Sequence, residues 1–270
     1  MLLPMAKARG PRMAQFLDGA FQADIMRIKK KYVLLPLVVI LVFAAVGYGT
    51  LQLMDMRTFQ FFGGLVDRIE TNQKVVALTF DDAPTLQVTS VLQTLAQKNV
   101  RATFFEIGSA IEKYPQLARA ITQAGMQVGN HSYSHQRMVL KPFSFYQDEV
   151  DKTNRLIRGT GYSGEIIFRP PNGKKLVGLP WYLSQQHIRT IMWDVEPDTF
   201  EDTGASNGDA NFLVKYTLEH TKPGSIILLH PFCDKVCAAD REAIPRIIDE
   251  LEARGYQFVT VSQLLMYAKK

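Results

Sequence analysis

Seven apolar, β-rich runs recur along this chain at intervals of roughly 25–35 residues, and this restricts the fold more than any other feature. They occupy residues 75–80, 102–107, 127–130, 166–168, 190–193, 225–229 and 257–261. Helix-period stretches separate most of them, at 88–99, 111–124, 145–158, 212–220, 247–254 and 262–268. Leu92, Leu95 and Ala96 share one helix face, as do Leu117, Ile121 and Ala124. Strands that are apolar on both faces and alternate with helices imply β/α units around a parallel sheet. Seven units in about 200 residues fall short of the roughly 250 residues typical of an eight-fold barrel. A smaller or irregular barrel fits better than an open sheet, and periodicity by itself does not separate the two.

The ends of these runs carry the chemistry. Asp81 and Asp82 close the first, in Thr79-Phe80-Asp81-Asp82-Ala83-Pro84. His131 and His135 follow the third, and Arg169 follows the fourth, in Arg169-Pro170-Pro171-Asn172-Gly173. Trp193 and Asp194 end the fifth, with Asp198 just beyond, and His230 ends the sixth. One carboxylate with two imidazoles is a common ligand set for a catalytic divalent ion with open positions. The other carboxylate of the pair can then serve as a base. In a β/α barrel all strand C-termini open on one face, so these groups would converge there. Each has a plainer reading alone: a strand-end turn, two surface histidines, a loop arginine, a satisfied interior histidine. Their order along five strand ends favours metal-assisted hydrolysis. His187 and His220 match no motif and are read as ordinary polar residues.

As an ordered set, Thr79–Pro84, His131-x3-His135, Arg169–Gly173 and Leu228-Leu229-His230 resemble the motifs of the polysaccharide deacetylases, the NodB-homology carbohydrate esterases. The resemblance runs from about Lys74 to Val261. It implies a distorted (β/α)7 barrel, one divalent metal (commonly zinc, with cobalt or nickel admitted) and removal of acetyl groups from sugar polymers. By position it implies that Asp82, His131 and His135 bind the metal and that Asp81 is the base. Arg169 would hold Asp81, the backbone N–H of Asn172 would help hold the oxyanion, and His230 would be the acid, oriented by Asp198. Four positions depart from the family pattern. Ala83 stands for a usual Gly, Asn172 for a frequent Tyr, Thr199 for a usual Trp and Pro231 for a frequent Asp. Thr199 removes one apolar wall of the acetyl pocket, which Phe200 or Trp193 would have to supply.

The N-terminal part sets the expected location. Residues 32–54 hold no charged side chain, long enough for a membrane-crossing helix. Residues 1–31 hold seven Lys/Arg against Asp18 and Asp24, a net +5. The whole chain is also +5, so residues 32–270 sum to zero. No basic face remains to argue for nucleic acid. The positive-inside rule puts the N-terminus in the cytoplasm and the rest outside. A cleaved signal peptide would have a shorter apolar region and a small-x-small site, for which Gly47-Tyr48-Gly49 is poor. Met26 opens a compact basic-then-apolar pattern and is a candidate start.

The expected layout is a basic segment (1–31), a single-pass helix (32–54), a juxtamembrane connector (55–73) and a catalytic domain (74–270). The aromatic cluster of the connector would lie on the membrane or dock on the barrel. Cys233 and Cys237 would form a local disulfide in an oxidising compartment; two free thiols are the alternative. Three function classes follow: a membrane-anchored deacetylase of an acetylated, N-acetylglucosamine-type polysaccharide, a metal amidohydrolase of small C–N substrates, and an inactive glycan-binding barrel. No feature calls for an obligate protein partner.

Overall fold

The computed structural model describes residues 12–198, 209–233 and 237–269. The chain forms two units, Met1–Gln52 and Leu53–Lys270. The first is built on helix α1 (Arg12–Asp55). Its span Pro36–Asp55, 20 residues, is the one helix among the described residues long and apolar enough to cross a membrane. At 1.5 Å per residue it covers about 30 Å, the thickness of a bilayer's hydrocarbon core.

The second unit is α/β, with parallel pairing throughout its named strands. These are β1 (Leu65–Val66), β2 (Val75–Ala83), β3 (Thr103–Glu106), β4 (Gln127–Asn130), β5 (Thr190–Ile191), β6 (Ile226–Leu229) and β7 (Gln257–Phe258). One path of neighbours runs β4-β3-β2-β6; β7 joins the start of β2, and β1 pairs with β5. Parallel bridges link Asn130 to Phe168, Phe168 to Thr190 and Val195 to Ile227. The pairings therefore lead from β2 through β4, Phe168 and the β5 stretch to β6, which pairs with β2 again.

The helices are α2 (Val88–Gln97), α3 (Gly108–Lys113), α4 (Pro115–Gln123), α5 (Phe143–Gly159), α6 (Gly178–Gln185), α7 (Ala210–His220), α8 (Ala238–Ala253) and α9 (Val261–Leu264). The single helix expected at 111–124 is two, because Pro115 is the first residue of a new helix and ends the one before it. α8 starts well before the expected residue 247 and carries Pro245 inside. α6 was not expected, since Gly178 and Pro180 in its first turn break the sequence pattern. Nor was β1, which lies in the stretch read as a connector.

Side-chain parity sorts the core into two layers. Val76, Leu78 and Phe80 of β2 pack outward with Phe104, Val128 and the helices. Val75 and Ala77 point the other way, into an inner cluster with Phe105, Ile167, Ile226 and Leu228. Each fully buried Val, Leu, Ile or Phe among these contributes about 1.5–3 kcal/mol. The inner cluster is tight enough to demand glycine at 129, where a Cβ would stand 2.5 Å from the Phe105 ring. Cys233 and Cys237 are disulfide-bonded.

Candidate active site

The inner parity continues past the apolar residues and delivers the polar ones. On β2, Val75 and Ala77 are followed by Thr79 and Asp81. On β4, Gln127 and Gly129 are followed by His131, and on β6, Ile226 and Leu228 by His230. Ile167 is followed by Arg169 in the same way. Period-two alternation thus aims each chemical group at the C-terminal end of the inner face.

Asp82 breaks parity, and the backbone explains how. The β2–β3 register slips between Phe80 and Ala83, and Asp82 has φ 67°. Such an irregularity re-aims a side chain, so two consecutive carboxylates reach one site. Ala83 does not have positive φ, so glycine is not required there for that reason. Asp82, His135 and Asn172 all sit in the left-handed region, a strained placement that clusters at functional sites.

Arg169 is wholly buried, and each of its three side-chain nitrogens has a hydrogen-bond partner. It donates to Asp81 Oδ1 (2.8 Å), Thr79 Oγ1 (2.9 Å), the Ile191 carbonyl (3.3 Å) and the Met192 carbonyl (3.0 Å), and stacks over Phe105. Burial pushes the Asp81 carboxyl up, but Arg169, His131 and His230 together hold it below its ordinary value. Asp81 is therefore ionised at neutral pH.

His131, His135 and Asp82 turn their polar atoms toward one another. The Nδ1 of His131 lies 2.8 Å from the Arg169 carbonyl, which only accepts, so Nδ1 donates its hydrogen there and Nε2 is the nitrogen turned to the two carboxylates. That Nε2 is 3.6 Å from Asp82 Oδ1 and 3.5 Å from Asp81 Oδ2; His135 Nε2 is 3.2 Å from Asp82 Oδ1. Burial, then the neighbouring His131, push the His135 imidazole down, so it is neutral. Asp82 Oδ1 is buried without a donor. All three ligand atoms lie within 4.8 Å of one another. A carboxylate oxygen without a donor, beside two imidazole nitrogens, fits a divalent cation.

A second cluster, Glu196, Asp198 and His230, is explained by its hydrogen bonds. Asp198 Oδ2 accepts from His230 Nδ1 (2.8 Å) and from its backbone N–H (2.7 Å). Burial pushes the His230 imidazole down, but the Asp198 carboxylate outweighs it and the net value is raised to about 10. Glu196 accepts from Trp193 Nε1 (2.7 Å) and Arg57 (2.6 Å).

Three contributors lay beyond the sequence reading. Asp240, on the first turn of α8, is buried near Asp198, and burial together with the Asp198 charge raises it to about 8. Glu149 of α5 accepts from the backbone N–H groups of Tyr133 (2.9 Å) and Ser134 (2.8 Å) and so fixes the loop between the two histidines. Arg57 lies over Trp193, 4.9 Å from its ring centre. Only long-range contact reveals these roles. A lone acid on a helix or a lone arginine in a connector carries no motif.

These groups line one pocket of about 360 Å³. Asp81, Asp82, His131, His135, His230 and Asn172 all border it, and Asp55, Arg57 and Trp193 complete its wall. Trp193 is thus the aromatic wall among the described residues. Thr199 and Phe200 lie outside them. Arg169 and Asp198 stand behind Asp81 and His230.

An ionised acid, a protonated imidazole and a cation-type ligand set in one pocket of a parallel α/β domain define a hydrolase site. The chain belongs to the polysaccharide deacetylase family, and its relatives named as peptidoglycan deacetylases are hydrolases of carbon–nitrogen bonds other than peptide bonds. The family model described as polysaccharide deacetylase matches residues 68–191. The chain is 34% identical over 201 residues to a peptidoglycan-N-acetylglucosamine deacetylase of Bacillus cereus, covering 74% of this chain and 71% of that protein. It is 33% identical to the peptidoglycan-N-acetylmuramic acid deacetylase PdaC of Bacillus subtilis, covering 73% of this chain and 40% of the other. The crystal structure of the Bc1960 peptidoglycan N-acetylglucosamine deacetylase superposes with TM-score 0.70 at 29% identity, over 76% of this chain and 94% of that one.

Proposed function

We propose that this chain is a membrane-anchored, divalent-metal-dependent deacetylase of an extracytoplasmic glycan that carries N-acetylhexosamine units. The buried Arg169–Asp81 pair beside the Asp82–His131–His135 acceptor set is the observation that carries this reading. Two relatives are named for peptidoglycan N-acetylglucosamine and N-acetylmuramic acid. The catalytic domain, 74–270, is read as an irregular barrel of seven units, on the pairings that return to β2. The apolar span and the basic residues before it support a single pass with the N-terminus inside.

Asp82, His131 and His135 would hold the metal. When bound, it supplies Lewis acidity to the acetyl carbonyl. Asp81 takes the proton of the attacking water, and Arg169 keeps it ionised and aimed. The backbone N–H of Asn172 would bear the developing oxyanion. His230 carries a proton at neutral pH and gives it to the departing amine, with Asp198 fixing its Nδ1–H. A pocket of this size is at the small end for ligand sites, so one sugar would enter and its neighbours lie along the rim.

The test is kcat/KM for acetate release from N-acetylglucosamine oligomers of one to six units, beside a panel of small amides and imides. Rates should rise with length, since remote binding energy assists chemistry. A flat series with strong turnover of the small amides would transfer the assignment to a small-substrate amidohydrolase. Asp81→Asn and His230→Ala should each cost ~10²-fold or more in rate with metal retained.

A further inference from the structure

We propose that the aromatic surface formed by residues 56–62 and helix α6 sits in the headgroup layer of the bilayer crossed by Pro36–Asp55. This rests on the anchored reading above and adds an orientation to it.

The segment after the apolar span does not hang free. Lys175 donates its backbone N–H to the Met54 carbonyl (3.1 Å) and its ammonium to the Met56 carbonyl. Lys174 pairs with Asp55. Eight to ten residues further along both stretches, a Cβ on Gly63 would be 3.1 Å from the Ser184 side chain. Residues 54–63 therefore run beside 174–184 and are fixed to them.

The large apolar side chains of these two stretches nevertheless face outward. Phe59, Phe61 and Phe62 are 40%, 46% and 41% exposed. Trp181 and Val177, on and just before α6, are 41% and 47% exposed, and Phe143 stacks edge-on against Trp181 at 4.9 Å. Exposed aromatic side chains on two stretches that run side by side mark an interaction surface. Phe59 is four residues past Asp55, a reach of about 14 Å at most, so a spanning helix ending at Asp55 would hold these rings near the polar–apolar boundary. Aromatic side chains are enriched in that layer. The pocket is also lined by Asp55 and Arg57, so its mouth would open close to the membrane surface.

The chain has two tryptophans, exposed Trp181 and Trp193, which is 5% exposed. The experiment is tryptophan fluorescence of the full chain in phosphatidylcholine–phosphatidylglycerol vesicles whose acyl chains carry bromine near the headgroup or near the tail end. Shallow bromine should quench more than deep bromine, and Trp181→Phe should remove the quenched part and leave the buried Trp193 signal. Quenching of Trp181 by aqueous iodide with none by either brominated lipid overturns the inference. So does an N-acetylglucosamine oligomer that shifts Trp181 emission without lipid quenching, which would make the surface a glycan platform. Carbonate extraction separates the two readings. A chain that stays in the bilayer with Trp181 unquenched ends only this inference, and a chain that is extracted ends the anchor as well.

Discussion

In the proposed reaction His230 is the acid only while it holds its proton, and Asp198 decides how far up the pH scale it does so. A raised value, about 10, keeps the acid form through neutrality and loses it as pH rises through that value. Asp198→Asn keeps an acceptor for Nδ1–H but removes the charge. The basic limb of the kcat/KM profile should then move down toward the ordinary imidazole value of 6.5. An unmoved limb would show that His230 is not the group titrating there. Asp240 acts one step further back. Raised to about 8, it is protonated at neutral pH and can donate to Asp198. Asp240→Ala should cost ~10-fold or more in kcat with little change in KM, the scale of one hydrogen bond to a charged group. Asp240→Asn keeps a donor and should restore most of the rate; equal loss in both folded variants would reject the donor role. Asp198 could be named from its motif beside His230. Asp240 could not, because only the fold brings the start of α8 to it.

At the scale of elements, β2 shows what the sequence carries and what it hides. Its unbroken apolar run marks a strand buried on both faces, and parity places Asp81 correctly on the inner side. The slip after Phe80 that turns Asp82 to the same site has no sequence signal, since Asp82 is no glycine. α6 was hidden by its own proline and glycine, and with it the track that residues 54–63 follow. That track makes the connector part of the pocket wall. Arg57 is held by Glu196 and by the Trp193 face. Arg57→Ala should therefore raise KM for oligomers several-fold, a loss of about 1 kcal/mol in binding contacts, with a smaller effect on kcat. A KM unchanged from wild type would place Arg57 outside the substrate's reach.

For the whole molecule, charge and metal affinity are separable. The seven Lys/Arg of residues 1–31, against two acids, account for the entire net charge, so residues 32–270 are balanced. What the folded unit does concentrate is acceptor atoms around Asp82 Oδ1, buried with no donor. Such a site is formed only in the folded state, since His131 and His135 come from the end of β4 and Asp82 from the end of β2. A cation that binds there and not to the unfolded chain must stabilise the fold by mass action. At a hundredfold excess over Kd the gain is about 2.7 kcal/mol, which for a domain of about 200 residues is a rise of about 5–10 °C in Tm. The full chain in detergent, stripped with a chelator and then given zinc, should show this rise by calorimetry. His135→Ala removes one of the three proposed ligand groups and should abolish most of the rise while keeping the fold of the metal-free protein. Asp81→Asn should leave most of it in place, because Asp81 is turned toward Arg169. An equal Tm rise in wild type and His135→Ala would mean that zinc binds elsewhere on the chain.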